Sequence, residues 1–193
     1  VLKSAKVADP LKLYDCCPFT DGGAAVIVAS EEVARRSPRP VWVLGSAAAS
    51  DSMFLHDKKD LFRLIATERA AQAAYRQAGK GPADIDVVEL HDCFTIAEII
   101  ATEGLGFFEP GAGGIAAEKG WTGLGGKLPV NPSGGLKAKG HPIGATGAAQ
   151  VAEIVTQLRG AAGPRQVEGA RIGLVHTLGG NAATVLVSLF GRD

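Results

Sequence analysis

Cysteine is scarce in this chain, with three in 193 residues, two of them the adjacent Cys16 and Cys17. Thiols so few and so placed make no disulfide framework, and a reducing cytoplasm is the expected setting. Long apolar runs are also missing, so no bilayer span is expected, and no signal-peptide pattern is present. Neither sign of charge dominates: 20 basic residues face 20 acidic ones. That balance gives no electrostatic footprint for nucleic acid or a membrane surface. Methionine occurs once, at Met53, while the chain opens at Val1. The expectation is therefore a processed or partial product.

Glycine, by contrast, is plentiful at 26 residues, within a composition that is 46% hydrophobic. This suits a packed α/β protein with tight loops. DGGAAVIVAS (Asp21 to Ser30) reads as a turn feeding a buried strand, and SEEVARRSP (Ser30 to Pro38) as a short helix. PVWVLGSAAAS (Pro40 to Ser50) is a second strand. A helix is expected over Asp60 to Ala78, capped by Asp60 and stopped by Gly79. DIDVVEL (Asp84 to Leu90) reads as a strand that passes directly into a helix. Gly104 to Gly126 reads as a surface loop, and RIGLVHTL and AATVLVSLF as two closing strands. Such alternation implies a mixed sheet with helices on both faces.

The stretch VNPSGGLKAKGHPIGATGAAQ (Val130 to Gln150) holds the chain's single Gly-His-Pro. From Ala145 to Leu158 the apolar residues Ala148, Val151, Ala152, Ile154, Val155 and Leu158 fall at helical spacing. His141 thus stands just before a helix N-terminus, where the dipole favours a neutral, basic ring. It is either a general base or a loop histidine that packs or caps. His91 and Cys93 lie at the carboxyl end of a strand, where α/β sheets gather ligand and catalytic groups. Cys93 falls at an expected first helical turn, which would lower its thiol pKa; the alternative is an inert buried thiol. His91 and His176, the latter in HTLGG, could equally be side chains bonded to backbone. Asp92 reads most simply as an N-cap. No His or Cys pair has a recognised zinc spacing, and GLGGK (Gly123 to Lys127) departs from the phosphate-loop pattern. HDKKD (His56 to Asp60) reads as a solvated loop.

Three segments together resemble the C-terminal half of a thiolase: VELHDCFTIAEI, PVNPSGGLKAKGHPIGATGAAQ and LVHTLGGNAATVLVSLF. The resemblance is nearest to the sterol-carrier-type and archaeal acetyl-CoA acetyltransferases. It extends to Asp21-Gly22-Gly23-Ala24-Ala25, which is similar to the family's Asp-Gly-Ala-Ala-Ala segment. It implies a thiolase-like α/β fold with a mixed five-stranded sheet and helices on both faces. Residues 1–38 would be the end of the loop region and the last strand and helix of the N-terminal domain. Residues 39–193 would form the C-terminal domain. By the same resemblance, His141 activates a nucleophilic cysteine, Cys93 is the acid/base for the second substrate, and His91 serves the oxyanion hole. Phe94, Ser133, Gly134 and Gly135 would line the acyl and pantetheine channel, with His176 on the substrate side. The subgroup has Asn after that histidine where this chain has Thr177, so the role of His176 is the least specified.

The implied reaction is reversible Claisen condensation and thiolysis of acyl-CoA. Coenzyme A thioesters are the substrates, with no metal and no redox cofactor. The nucleophilic cysteine belongs to the family's N-terminal half, so a chain carrying that half is the expected partner, in a homo- or hetero-oligomer. Two other readings stay open: a thiolase-like aldolase acting on a CoA thioester, and a non-catalytic scaffold or binding subunit.

Overall fold

A computed structural model describes residues 1–192. A two-stranded antiparallel hairpin, β1 (Lys6–Ala8) and β2 (Leu11–Lys12), opens the chain, and one helical turn, α1 (Glu31–Ala34), follows. The main body runs β3 (Trp42–Ser50), α2 (Ile65–Ala78), β4 (Val87–Leu90), α3 (Thr95–Gly104), α4 (Gly113–Glu118), α5 (Gly135–Lys139), α6 (Thr146–Leu158), β5 (Ile172–Gly179) and β6 (Thr184–Gly191). The sheet order is β3-β6-β5-β4, with β4 and β5 parallel and β6 antiparallel to both of its neighbours.

Alternation along the strands gives this sheet two buried faces. Val88, Leu90, Leu174, Val187 and Leu189 point one way, into a core with Ala66, Ala70 and Ala74 of α2. Val87, Val175 and Phe190 point the other way, against Ile154 and Leu158 of α6. The small side chains on α2 let it lie close on β3. A Cβ added at Gly45 would sit 2.5 Å from the Ala74 carbonyl oxygen. Gly79 ends α2 in the left-handed conformation at φ 61°, a geometry glycine adopts without steric cost.

The sheet has four strands where five were expected. Asp21 to Ser30, assigned by the resemblance to the last strand of the N-terminal domain, makes no ladder here, with Ile27 94% and Val28 84% exposed. A strand is defined by its partner, and this segment has none among the described residues. On the far side of β4 a single parallel bridge, Val88 to Val130, stands beside the sheet. Two helix starts and one additional helix also differ from the sequence reading. Helix α2 starts at Ile65, because the Asp60 carboxylate takes the Phe62 N–H at 2.8 Å in a local turn of its own. Helix α6 begins at Thr146, and the stretch expected to be all loop contains α4.

Candidate active site

The site is built from the carboxyl end of β4, the glycine-rich run around α5, and a strap from the N-terminal segment. Beyond β4, Asn131 (φ 52°) donates its backbone N–H to the Val88 carbonyl at 2.7 Å. Its side-chain oxygen accepts the Leu90 N–H at 2.8 Å, and its amide donates to Glu98 at 3.2 Å. One asparagine thus ties the end of β4, the glycine-rich run and α3 together. Glu89 accepts the Ser133 N–H at 3.0 Å and its hydroxyl at 2.8 Å, and Lys139 donates to Ser133 Oγ at 2.9 Å. Gly134 and Gly135, at φ 94° and 59°, make the left-handed turn that opens α5.

His91 and His141 meet at the centre of this frame. Their rings pack edge to face, with centroids 4.9 Å apart and planes at 85°. Thr146 fixes the tautomer of His141. The Thr146 hydroxyl donates to the Pro142 carbonyl at 3.1 Å, so its oxygen accepts from His141 Nδ1 at 2.8 Å. The proton sits on Nδ1, and Nε2 carries the free lone pair. Burial lowers the pKa of His141, offset by the charge on Asp92. Burial brings His91 down to about 4 and His176 to about 3, and each feels a neighbouring histidine as well. All three rings are neutral at pH 7.

Cys93 departs from the expectation of a lowered thiol pKa. Helix α3 begins at Thr95 with Phe94 as its cap, so Cys93 lies outside the first turn. Burial, then the thiol of Cys17, push the Cys93 pKa up. Cys17 itself is raised by burial and by Asp92.

The strap explains why these groups are covered. The Cys17 N–H donates to the Cys93 carbonyl at 2.9 Å, and Cys16 bridges Phe94. On the other edge, the His141 N–H donates to the Pro18 carbonyl at 3.0 Å, and Phe19 stacks on the His141 ring with centroids 6.3 Å apart. Lys137 Nζ donates to the Cys16 carbonyl at 2.7 Å. His141 is consequently 8% exposed. An open hollow of ≈ 390 Å³ lies beside it, between Thr20–Ala24 and Pro142–Ala145. Phe94 is 41% exposed at the edge of the site.

His176, placed on the substrate side by the resemblance, is fully buried behind His91, whose charge it feels, and shares a 3.0 Å hydrogen bond between Nε2 and Thr67 Oγ1. Sequence reasoning missed Asn131, Thr146, Glu89 and the strap. Only the spacing of Thr146, five residues past His141, was a usable signal. Asp92 was read as a cap and is one, though for α5 instead of the adjoining α3: its carboxylate accepts the Leu136 N–H at 2.7 Å. Among the described residues, no three His, Cys, Asp or Glu side chains gather as metal ligands, and no helix is long and apolar enough to cross a membrane.

A fold of this kind, with two histidines and a cysteine delivered by the loops beyond the carboxyl end of β4, defines a class that the comparisons name. Residues 47–192 match the "Thiolase C-terminal domain-like" family, and the chain belongs to the thiolase family. It is 55% identical to an acetyl-CoA acetyltransferase of Methanothermobacter thermautotrophicus, over 100% of this chain and 50% of that protein. To sterol carrier protein 2 of Rattus norvegicus it is 42% identical, over 99% of this chain and 36% of that protein. Among solved structures, the Ltp2-ChsH2(DUF35) aldolase matches with a TM-score of 0.86 at 27% identity, covering 100% of this chain and 50% of that one. The chain thus spans half or less of the length of these relatives.

Proposed function

We propose that this chain supplies the C-terminal half of a thiolase-type active site, which condenses and cleaves acyl-CoA thioesters as an acetyl-CoA C-acetyltransferase does. The observation that carries the reading is the meeting of His141, its Nε2 free and its Nδ1 proton held by Thr146, with the loop that bears His91 and Cys93. A neutral imidazole with a free Nε2 is able to take a thiol proton and make a cysteine nucleophilic. That cysteine belongs to the N-terminal half, on a partner chain or a preceding segment. His91 Nε2 and His141 stabilise the oxygen of the thioester as charge develops on it. Burial keeps Cys93 protonated at rest, the form that protonates a departing enolate in thiolysis; condensation runs from its thiolate. Phe94 and the turn Ser133–Gly135 border the acyl and pantetheine path. The chemistry uses no metal or redox cofactor, and the setting is the cytoplasm. Residues 1–38 complete the N-terminal domain, while 39–193 form the C-terminal one.

Cys93→Ala tests this in the chain assembled with an N-terminal half. Labelled acyl-enzyme should accumulate on the nucleophile while exchange of the acetyl methyl protons with deuterated water falls roughly 10²–10⁴-fold. Normal exchange would remove Cys93 from the mechanism. The likeness to the Ltp2-ChsH2(DUF35) aldolase favours a second reading, carbon–carbon cleavage without an acyl-enzyme. Absence of labelled acyl-enzyme in both wild type and variant would select it.

A further inference from the structure

The carboxylate of Asp92 has a place in this site that neither capping nor solvation of its own loop explains. It stands between His91 and Cys93, 3% exposed, and reaches across to the start of α5. There it accepts the Leu136 N–H at 2.7 Å and the Lys137 N–H at 3.4 Å. Helix α5 runs only from Gly135 to Lys139, and Gly140 then leads straight into His141. The contact has been made close by omission of a side chain. A Cβ added at Gly135, where φ is 59°, would lie 2.2 Å from Asp92 Oδ2.

We propose that Asp92 is a positioning residue that sets His141 against His91 and Cys93 by holding α5, and that its charge supports the imidazolium formed when His141 takes a proton. This rests on the reading of His141, His91 and Cys93 as the reacting groups. Two ties make the first part mechanical. Asp92 is covalently next to His91 and Cys93, and it grips the short helix that delivers His141 five residues later. A shift of α5 therefore changes the distance between the two loops directly, and misplacement by about 1 Å costs about 10²-fold in rate.

The second part follows from charge. The Asp92 carboxylate raises the pKa of His141 against the lowering by burial. Other titratable groups facing the pair are His91 on the same loop, Lys139 on α5, Glu98 on α3, and Cys17 on the strap. Burial, the largest effect, raises the Asp92 pKa; the Leu136 and Lys137 N–H donors on α5, and then Lys139 as the one positive charge among these groups, act against burial and favour the ionised form.

The test compares wild type, Asp92→Asn and Asp92→Ala in the chain assembled with its N-terminal half. Three quantities are read: the titration midpoint of the His141 ring by NMR, amide exchange at Leu136, and turnover with its KM. Asp92→Asn keeps a carbonyl acceptor for Leu136 and loses the charge. Its Leu136 exchange should stay within a few-fold, its His141 midpoint should fall, and turnover should drop about ten- to a hundredfold with KM little changed. Asp92→Ala should speed Leu136 exchange at least tenfold and cost turnover about 10²-fold or more. An unchanged His141 midpoint in Asp92→Asn overturns the proposal, and so does unchanged Leu136 exchange in Asp92→Ala. Should Asp92→Ala fail to fold, the His141 midpoint and turnover of Asp92→Asn decide alone. A wild-type assembly with no acyl-transfer activity refutes the functional reading instead, and the His141 midpoint and Leu136 exchange still judge the positioning.

Discussion

At the scale of single residues, the chemistry of His141 is set by one hydroxyl. Thr146 can give its only proton to Pro142, so the imidazole must present Nδ1–H to it and keep Nε2 open. Thr146→Val removes that preference while leaving the volume of the side chain nearly unchanged. Turnover should fall about tenfold, less than the roughly 10²–10⁴-fold loss expected of His141→Ala, and the ring should show mixed tautomers by nitrogen NMR. Melting temperatures of both variants should stay close to wild type. A Thr146→Val variant with full turnover would show that the tautomer is held by something else.

Another residue, Glu98, carries a pH dependence whose sign can be worked out. Burial first, then the charge on Asp92, push its carboxyl up to about 7 from 4.5. The folded state therefore holds this proton more tightly than the unfolded state between those two values. Stability from this group declines as pH rises through that window, and the cost is complete above it. Glu98→Gln, still able to accept from Asn131, should be more stable than wild type at pH 8 by up to about 3 kcal/mol, and equal to it below pH 4.5. Denaturant unfolding at the two pH values measures the difference. A variant less stable at pH 8 would mean that the ionised carboxylate is a net stabiliser.

At the scale of elements, the contact between β3 and α2 governs how the sheet is covered. Gly45 sits under Ala74, and the Ser46 N–H reaches the Gln77 side chain at 2.8 Å, so strand and helix touch backbone to backbone. Gly45→Val should force α2 outward and cost roughly 1–3 kcal/mol as overpacking. Thermal unfolding would register it, and loss of less than about 0.5 kcal/mol would show that α2 adjusts freely. The elements were also the most legible part of the sequence. Short apolar runs marked β5 and β6, and the period of Ile154 and Leu158 marked α6, because burial selects apolar residues at those positions. Asp21 to Ser30 has the same apolar content and forms no strand, since pairing depends on an edge that the segment itself does not supply.

At the scale of the whole molecule, that same segment is the exposed end of an unfinished surface. Ile27, Val28 and Val33 are exposed at 94%, 84% and 51%, and Ile143, on the loop after His141, at 68%. Large apolar side chains left this exposed invite association. The chain on its own is expected to self-associate, and to become a discrete complex when produced with a thiolase N-terminal half. Ile27→Asp should weaken that complex by at least tenfold while leaving the sheet of β3 to β6 intact. Size-exclusion chromatography with and without the partner gives the answer. A monodisperse, monomeric wild-type chain would sink the expectation.

The sequence by itself marked the strands and the longer helices of the main body and singled out candidate reacting side chains, since periodicity and residue type are local properties of the chain. His91, Cys93 and His141 were legible because Gly-His-Pro and the strand end that carries His91 stand out residue by residue. Tertiary structure alone decided that the His91 and His141 rings meet at 4.9 Å, that Asp92 caps α5, and that Cys17 raises Cys93. It also buried His176 against Thr67 and laid the strap over His141. Each of these joins residues from a few tens to more than a hundred positions apart. Proton affinity and hydrogen-bond partners depend on which groups share a buried volume, and no local spacing encodes that.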